Sequence, residues 1–308
     1  MVTIGPRDEA LAAALQAVRS SGGIVIVGPG GVGKSTMIGD VVEVLQPEEV
    51  VRIAVDELAD HREAPTILLD ALTDRPLAGD TLESQIFAAT EQRRVAVVLD
   101  GADSGIEDIL ALVASVPVGP EGPWVIVSSR VRPMSPAMPV VHLPPFDVTT
   151  AGGLAEADRI FRTWYATSGG PPAALDSASG TVRSVLVATG GLPLVIRVAA
   201  GAAAAVGLDA AKSLIDTSGL DAFARCIGRS VELLTPPERR LFTALGVTAG
   251  STDPITAAAL TQMTPEAATS ALGGLVRHNL IDPIDSRYRL LPPIHRYSIA
   301  ALGTDTGL

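Results

Sequence analysis

Lys34 and Ser35 follow four glycines in the octapeptide Gly28-Pro29-Gly30-Gly31-Val32-Gly33-Lys34-Ser35. The spacing fits G-x-x-x-x-G-K-[ST], a pattern whose chemistry is phosphate binding. Glycines let backbone N–H groups turn inward around α- and β-phosphates. Lys34 can reach the β- and γ-phosphates, and the Ser35 hydroxyl can bind Mg²⁺. The candidate nucleotide contacts are therefore Gly28, Gly30, Gly31, Val32, Gly33, Lys34, Ser35 and Thr36. Such a loop needs a strand before it and a helix after it. Residues 24–27, Ile-Val-Ile-Val, have the length and β-branching of a buried parallel strand. Residues 36–45 predict a helix whose N-terminus favours anions.

A second constellation occupies residues 95–100, Val-Ala-Val-Val-Leu-Asp. Five apolar residues ending in Asp is the Walker B form. A buried parallel strand carries Asp100 to its C-terminal edge, where open α/β sheets bind ligands. There Asp100 can help hold Mg²⁺. Many P-loop ATPases place a second acid next, to orient water; here the residue is Gly101, and Asp103 comes two positions later. The pattern supports nucleotide binding more firmly than hydrolysis. Residues 124–127 predict a strand running into Ser128-Ser129-Arg130. An arginine at that strand end either points at a γ-phosphate or is a solvated loop residue. Arg7 precedes a helical pattern over residues 8–19, with Leu11, Leu15 and Val18 in register. It lies near the nucleotide or belongs to a surface helix leading into the sheet. Residues 50–55 and 140–143 predict further strands, 81–92 and 106–116 helices, and 60–79 short helix and loop. His142 has no partners at metal-ligand spacing and reads as structural.

Beyond residue 148 the pattern changes. Residues 149–229 are helical and alanine-rich, with a loop at 168–172 and helices over 179–188 and 193–205. Pro193 is an ordinary first-turn proline or a rigid apolar contact against adenine. Residues 231–308 begin with Thr235 and Glu238 at capping-box spacing. Helices over 255–260 and 264–278 follow, with Thr264-Pro265 as cap and first residue. Residues 280–282 and 288–290 flank 283–287 like a hairpin. Three helices and a hairpin form a winged helix-turn-helix pattern. The expected fold is α/β: a P-loop parallel-sheet domain over 1–148, a helical domain over 149–230 and a winged-helix domain over 231–308.

Composition narrows the partners. A net charge of −11 argues against broad nucleic-acid binding. From residue 231 on there are six arginines, no lysine and seven acids, and only Arg277 and His278 are basic on the presumed recognition helix. DNA is thus a possible but not favoured partner. Mean hydropathy is +0.36, yet the most apolar tract, residues 195–208, carries Arg197 and is shorter than the roughly 20 residues of a membrane span. No membrane association is expected. Residues 1–7 lack the pattern of a signal peptide. The single cysteine, Cys226, excludes internal disulfides and fits a reduced cytoplasm. Lysine is rare, two against 21 arginines, so a lysine at position 34 is not a product of bulk composition. No internal period of roughly 20–50 residues is present.

GPGGVGKST, VAVVLDGAD, VIVSSR and GGLPLVIRVAA, in that order and followed by a winged helix, resemble the STAND class of P-loop ATPases. The NB-ARC/AP-ATPase branch is the most similar. The resemblance spans nearly the whole chain, and it implies several roles. Ile4-Gly5-Pro6-Arg7 is similar to the family's hhGR element, whose arginine lies by the nucleotide. Arg130 matches a sensor arginine, and Pro193 a proline that packs on adenine. Such proteins act as ATP/ADP switches: ADP holds a closed monomer, and ATP permits opening and oligomerisation with itself or a protein partner. The chain departs from the family at Gly101, and only loosely matches its Met-His-Asp motif: one register puts Leu291 at the histidine position, with His295 a turn away. The resemblance therefore implies a cytoplasmic, Mg²⁺-dependent ATP/ADP switch with slow or weak hydrolysis. The alternatives are a DNA-binding regulator using the winged helix, or an efficient ATPase using Asp103 or another acid as its base.

Overall fold

The computed structural model describes residues 6–73, 81–91, 93–103, 105–114, 116–134, 138–209, 211–212, 224, 228, 231–248, 251–278, 280–290, 294–295 and 297–299. Ile4, Gly5, Cys226, Leu291 and the side chain of Arg277 lie outside the described residues. The chain divides into two units, one of Met1–Gly28 and Gly33–Leu143, the other of Pro29–Val32 and Pro144–Leu308.

The first unit is built on a parallel sheet of five strands: β1 (Gly23–Val27), β2 (Glu49–Ala54), β3 (Val95–Asp100), β4 (Trp124–Ser129) and β5 (Val140–His142). Their order is β2-β3-β4-β1-β5. The three central strands are the three continuous apolar runs. β1 and β4 are buried throughout, and β3 at every residue but Asp100. A parallel sheet covered by helices requires such runs. The edge strand β2 mixes buried and exposed positions and β5 is exposed or half-buried throughout, so the two can carry Glu49, Arg52 and His142. Because β4 separates β1 from β3, the C-terminal ends of β1 and β3 share one edge, two strand spacings or about 10 Å apart.

Helices α1 (Pro6–Ser21), α2 (Lys34–Leu45), α3 (Ala64–Leu72), α4 (Leu82–Thr90) and α5 (Ile106–Val113) accompany this sheet. α2 buries Met37, Ile38, Val41 and Leu45, an apolar stripe at helical spacing. It begins two residues earlier than its apolar pattern predicts. Gly33, at φ 95°, ends the loop in a left-handed conformation, which brings Lys34 and Ser35 into the first helical turn. α1 also starts two residues early, at Pro6, since proline suits a first helical turn. Arg7 is thereby a helical residue.

The second unit opens with α6 (Ala151–Thr167), α7 (Ala173–Ser177), α8 (Ser179–Ala188) and α9 (Pro193–Val206). Ala157 and Phe161 of α6 share a buried cluster with Ala199, Ala200 and Ala203 of α9. Small side chains there let the two helices approach closely. Arg197, the one charged residue of α9, lies outside that cluster with its guanidinium 4.3 Å from the centre of the Trp164 ring. The apolar tract is thus a packed helix. No helix of the described residues is long and apolar enough to cross a membrane.

Three helices follow, Pro236–Leu245, Pro254–Thr261 and Pro265–Arg277, each with proline first and a capping residue before it. Glu238 Oε2 accepts from Thr235 N at 2.8 Å, Asp253 Oδ1 from Thr256 N at 2.9 Å, and Thr264 Oγ1 from Ala267 N at 3.2 Å. Strands β6 (Ser251–Thr252), β7 (Ile281–Ile284) and β8 (Arg287–Leu290) form an antiparallel sheet in the order β6-β8-β7. The hairpin turn is tighter than residues 283–287. Asp285, at φ 53°, turns the chain, and Pro283 pairs with Tyr288 inside β7. β7 is an edge strand, where a proline is tolerated.

Glu238 is buried, and its Oε1 lies where a side chain on Gly274 would project. Gly274→Ala should therefore destabilise the protein by about 1–3 kcal/mol in urea unfolding. In that background Glu238→Ala should cost less than it does alone, because it relieves the collision as well as losing the cap.

Candidate functional site

The glycine loop leaves β1 at Gly28, whose N–H donates to Ser129 O of β4 at 3.2 Å. Gly31 and Gly33 have φ of 76° and 95°, conformations that L side chains rarely adopt. Space forbids a side chain at Gly31 as well, since its Cβ would lie 2.8 Å from Leu194 Cβ. Lys34 Nζ reaches back over the loop and donates to Gly28 O at 2.8 Å. The N-cap of α2 is Gly33, with no side-chain cap, and Ser35 and Thr36 are exposed in the first turn. The first-turn amides of a helix lack intrahelical acceptors and favour an anion. The loop therefore fits a phosphate group by its conformation and its donors.

Arg7 joins this cluster. Its Nη2 lies 3.5 Å from Gly33 O. Its charge also reaches Asp40 on α2: partial burial raises that carboxyl, and Arg7 counters the rise. Arg7 thus belongs to the helix leading into the sheet and also lies beside the glycine loop. At the loop's apex, Leu194 N donates to Gly31 O at 3.1 Å. Pro193, at the first position of α9 and half-buried, is therefore next to a residue bonded to the loop.

Asp100 ends β3 on the same sheet edge as Gly28. Its Oδ1 accepts from Ser128 Oγ, and that hydroxyl in turn accepts from Gly101 N at 3.0 Å. Its Oδ2 lies 3.6 Å from Arg52 Nη1 on β2. Ser128 thus fixes the orientation of the Walker B carboxylate. The sequence pattern gives no signal for that role, which comes from strand pairing.

Arg130 and Asp103 form a pair that sequence reasoning missed. Arg130 N donates to Asp103 Oδ1 at 2.7 Å, and Arg130 Nε lies 3.3 Å from Asp103 Oδ2. Ser129 Oγ lies 3.5 Å from the same Oδ1. The two side chains are only 13 % and 9 % exposed. Asp103 is therefore a counter-ion with both oxygens engaged, which corrects its reading as a water-orienting base. Arg130 is not the solvated loop residue of the alternative. Asp56, from the turn after β2, lies against Gly101. His295 occupies a helical turn, and its Nε2 is buried with no hydrogen-bond partner among the described residues.

No family model matches the sequence, and no curated protein matches it. Among solved structures 53 chains match. The Walker-type ATPase of Pyrococcus abyssi aligns with a TM-score of 0.66 at 17 % identity, covering 96 % of this chain and 96 % of that one. A signal transduction ATPase with numerous domains (STAND) carrying a tetratricopeptide repeat sensor, from Pyrococcus horikoshii, aligns with a TM-score of 0.44 at 15 % identity. The match covers 94 % of this chain and 42 % of that one. The first likeness is one of fold, and it spans nearly all of the chain.

Proposed function

We propose that the chain is an adenine-nucleotide switch of the STAND class, in its NB-ARC/AP-ATPase branch. Its three helices and three-stranded sheet after residue 231 are read as a winged-helix module, and α6 to α9 as the helical domain before it. The observation that carries this reading is the glycine loop. Gly31 and Gly33 in positive-φ conformations lead into an α2 N-terminus without a side-chain cap, with Lys34, Ser35 and Arg7 gathered around it.

In this reading the amides of residues 30–36 and Lys34 bind the phosphates. Ser35 and Asp100 hold Mg²⁺, which neutralises phosphate charge. Arg7 and Arg130 report on the γ-phosphate, and Pro193 lies on adenine. ADP holds the cytoplasmic protein closed; ATP permits opening and association with itself or a protein partner. Titration with a fluorescent ADP analogue in Mg²⁺ tests the nucleotide reading. The wild type should bind, and Lys34→Ala should bind roughly 100-fold or more weakly, a loss of about 2.7 kcal/mol. A wild type with no Mg²⁺-dependent affinity for adenine nucleotides would overturn it.

The DNA reading draws less support. Among the described side chains of the Pro265–Arg277 helix, the exposed ones are Pro265, Glu266, Ala267, Thr269, Ser270 and Gly273, none of them basic, and the side chain of Arg277 is not among those described. His278 is buried. On the hairpin, Arg287 donates to Ser251 Oγ at 2.7 Å and faces Asp253 at 3.3 Å. Asp147 is held below its usual range mainly by hydrogen bonds from Thr149, with Arg289 adding to the effect. Both arginines are exposed, but each answers an acid of its own chain, which offsets the positive charge that a phosphate-tracking surface needs.

A further inference from the structure

A row of three side chains crosses the sheet at the Walker B carboxylate. β2 and β3 pair with Arg52 opposite Val98 and Ala54 opposite Asp100. β3 and β4 pair up to Leu99 opposite Val127, so Ser128 stands beside Asp100 one position later. Side chains alternate along a strand, so Arg52, Asp100 and Ser128 share one face of the sheet. Arg52 sits two positions before the residue opposite Asp100, a diagonal that a long side chain can span. β2 is an edge strand, and in it Val51 and Ile53 are buried while Arg52 is exposed.

The two oxygens of Asp100 meet different groups. Oδ1 accepts from Ser128 Oγ, and Ser128, fully buried, accepts in turn from Gly101 N at 3.0 Å. That oxygen is fixed. Oδ2 faces the Arg52 guanidinium, with Nη1 at 3.6 Å, beyond hydrogen-bond length. The Asp100 side chain is 20 % exposed and that of Arg52 44 %. The contact is thus a loose ion pair, weak in water and easily opened. The donor set suits Mg²⁺, which takes hard oxygens: Asp100 Oδ2 and the hydroxyl of exposed Ser35. Arg52 already puts a positive charge at the carboxylate oxygen that such an ion needs.

We propose that Arg52 is a tethered counter-ion that competes with Mg²⁺ for Asp100 and so loosens the hold on the metal. The proposal rests on reading Ser35 and Asp100 as the metal ligands. With no metal bound, Arg52 neutralises Oδ2. Before a divalent ion can bind there, the guanidinium must swing out towards solvent, and its charge, still close by, opposes the ion. Ser128 sharpens the contest, because it keeps Oδ1 engaged and leaves Oδ2 as the oxygen in dispute. A switch that must exchange its nucleotide gains from a metal held loosely.

MgCl₂ titrations of the full chain test this, with a fluorescent ADP analogue at a fixed concentration and its binding as the signal. Arg52→Gln should reach half-maximal Mg²⁺-dependent binding at roughly three- to tenfold less Mg²⁺ than the wild type. Arg52→Lys keeps the charge and should stay within about twofold of the wild type. Arg52 is exposed on an edge strand, so neither change disturbs the core, and circular dichroism checks this. A gain of metal affinity on deletion distinguishes competition from a structural role, which predicts a loss. An unchanged or higher Mg²⁺ requirement in Arg52→Gln would overturn the proposal. So would a drop of equal size in Arg52→Lys, since the charge would then be immaterial. Both results leave the nucleotide reading intact when the wild type binds the analogue in Mg²⁺. A wild type without Mg²⁺-dependent binding would instead remove that reading, and the proposal with it.

Discussion

Asp103→Ala should lower folding stability by about 3–5 kcal/mol, the cost typical of removing one partner from a buried ion pair. Two losses combine. The substitution removes the carboxylate facing a guanidinium that is only 13 % exposed, and it removes the acceptor of Arg130 N at 2.7 Å. Arg130→Met should cost less. Asp103 would keep the Arg130 main-chain N–H and could still draw on Ser129 Oγ. A double variant, Asp103→Ala with Arg130→Met, should recover part of the single loss, because no charge is then left facing an apolar wall. Urea unfolding of the three variants measures this. A loss under about 1 kcal/mol for Asp103→Ala would show the pair to be solvated in practice. The result bears on function, because it separates two acids of one sheet edge. Asp103 fixes an arginine in place, whereas Asp56 lies against Gly101.

How far the sequence foretells these roles depends on the range of the interaction. Continuous apolar runs identify β1, β3 and β4, because a strand buried on both faces admits polar residues only where they are hydrogen-bonded, as Ser128 and Ser129 are at the end of β4. The glycine loop is equally legible, since its chemistry needs fixed residue types at fixed spacing. The start of α2 is not: the apolar stripe begins at Met37, and only the conformation of Gly33 shows that Lys34 is already helical. β6 escapes notice because two residues have no period, and it exists only by pairing with β8. Pro283 reads as turn, yet an edge position lets it stay in β7.

The site divides in the same way. Asp100 and Arg130 are found from their positions at strand ends. Their partners are not, since Ser128 and Asp103 meet them only after β3 and β4 align. Gly101 shows the limit most clearly. Read along the chain, it is a missing acid; read across the sheet, it is the gap that admits Asp56 from 45 positions away. A single sequence carries no local trace of that contact.

Gly191→Ala should be comparably damaging, about 3–5 kcal/mol, although it adds one methyl group. Gly191 has φ of 71°, so an alanine there carries roughly 1–2 kcal/mol of backbone strain before any contact is considered. Its new Cβ would also strike the carbonyl oxygen of Phe146. That carbonyl cannot swing aside easily. Phe146 is buried in the core cluster of the second unit, and its N–H donates to Gly191 O at 2.9 Å. Gly169→Ala provides the comparison: φ is 88°, but nothing lies within 4 Å of the added Cβ. It should show the strain alone. The difference between the two in thermal or urea unfolding measures the collision, and equal losses would mean that the Phe146 backbone yields. The consequence extends to the nucleotide. Leu192, Pro193 and Leu194 follow Gly191 directly, and Leu194 N donates to Gly31 O. If Pro193 lies on adenine, Gly191→Ala protein that remains folded at low temperature should also bind ADP several-fold more weakly, whereas Gly169→Ala should bind it as the wild type does.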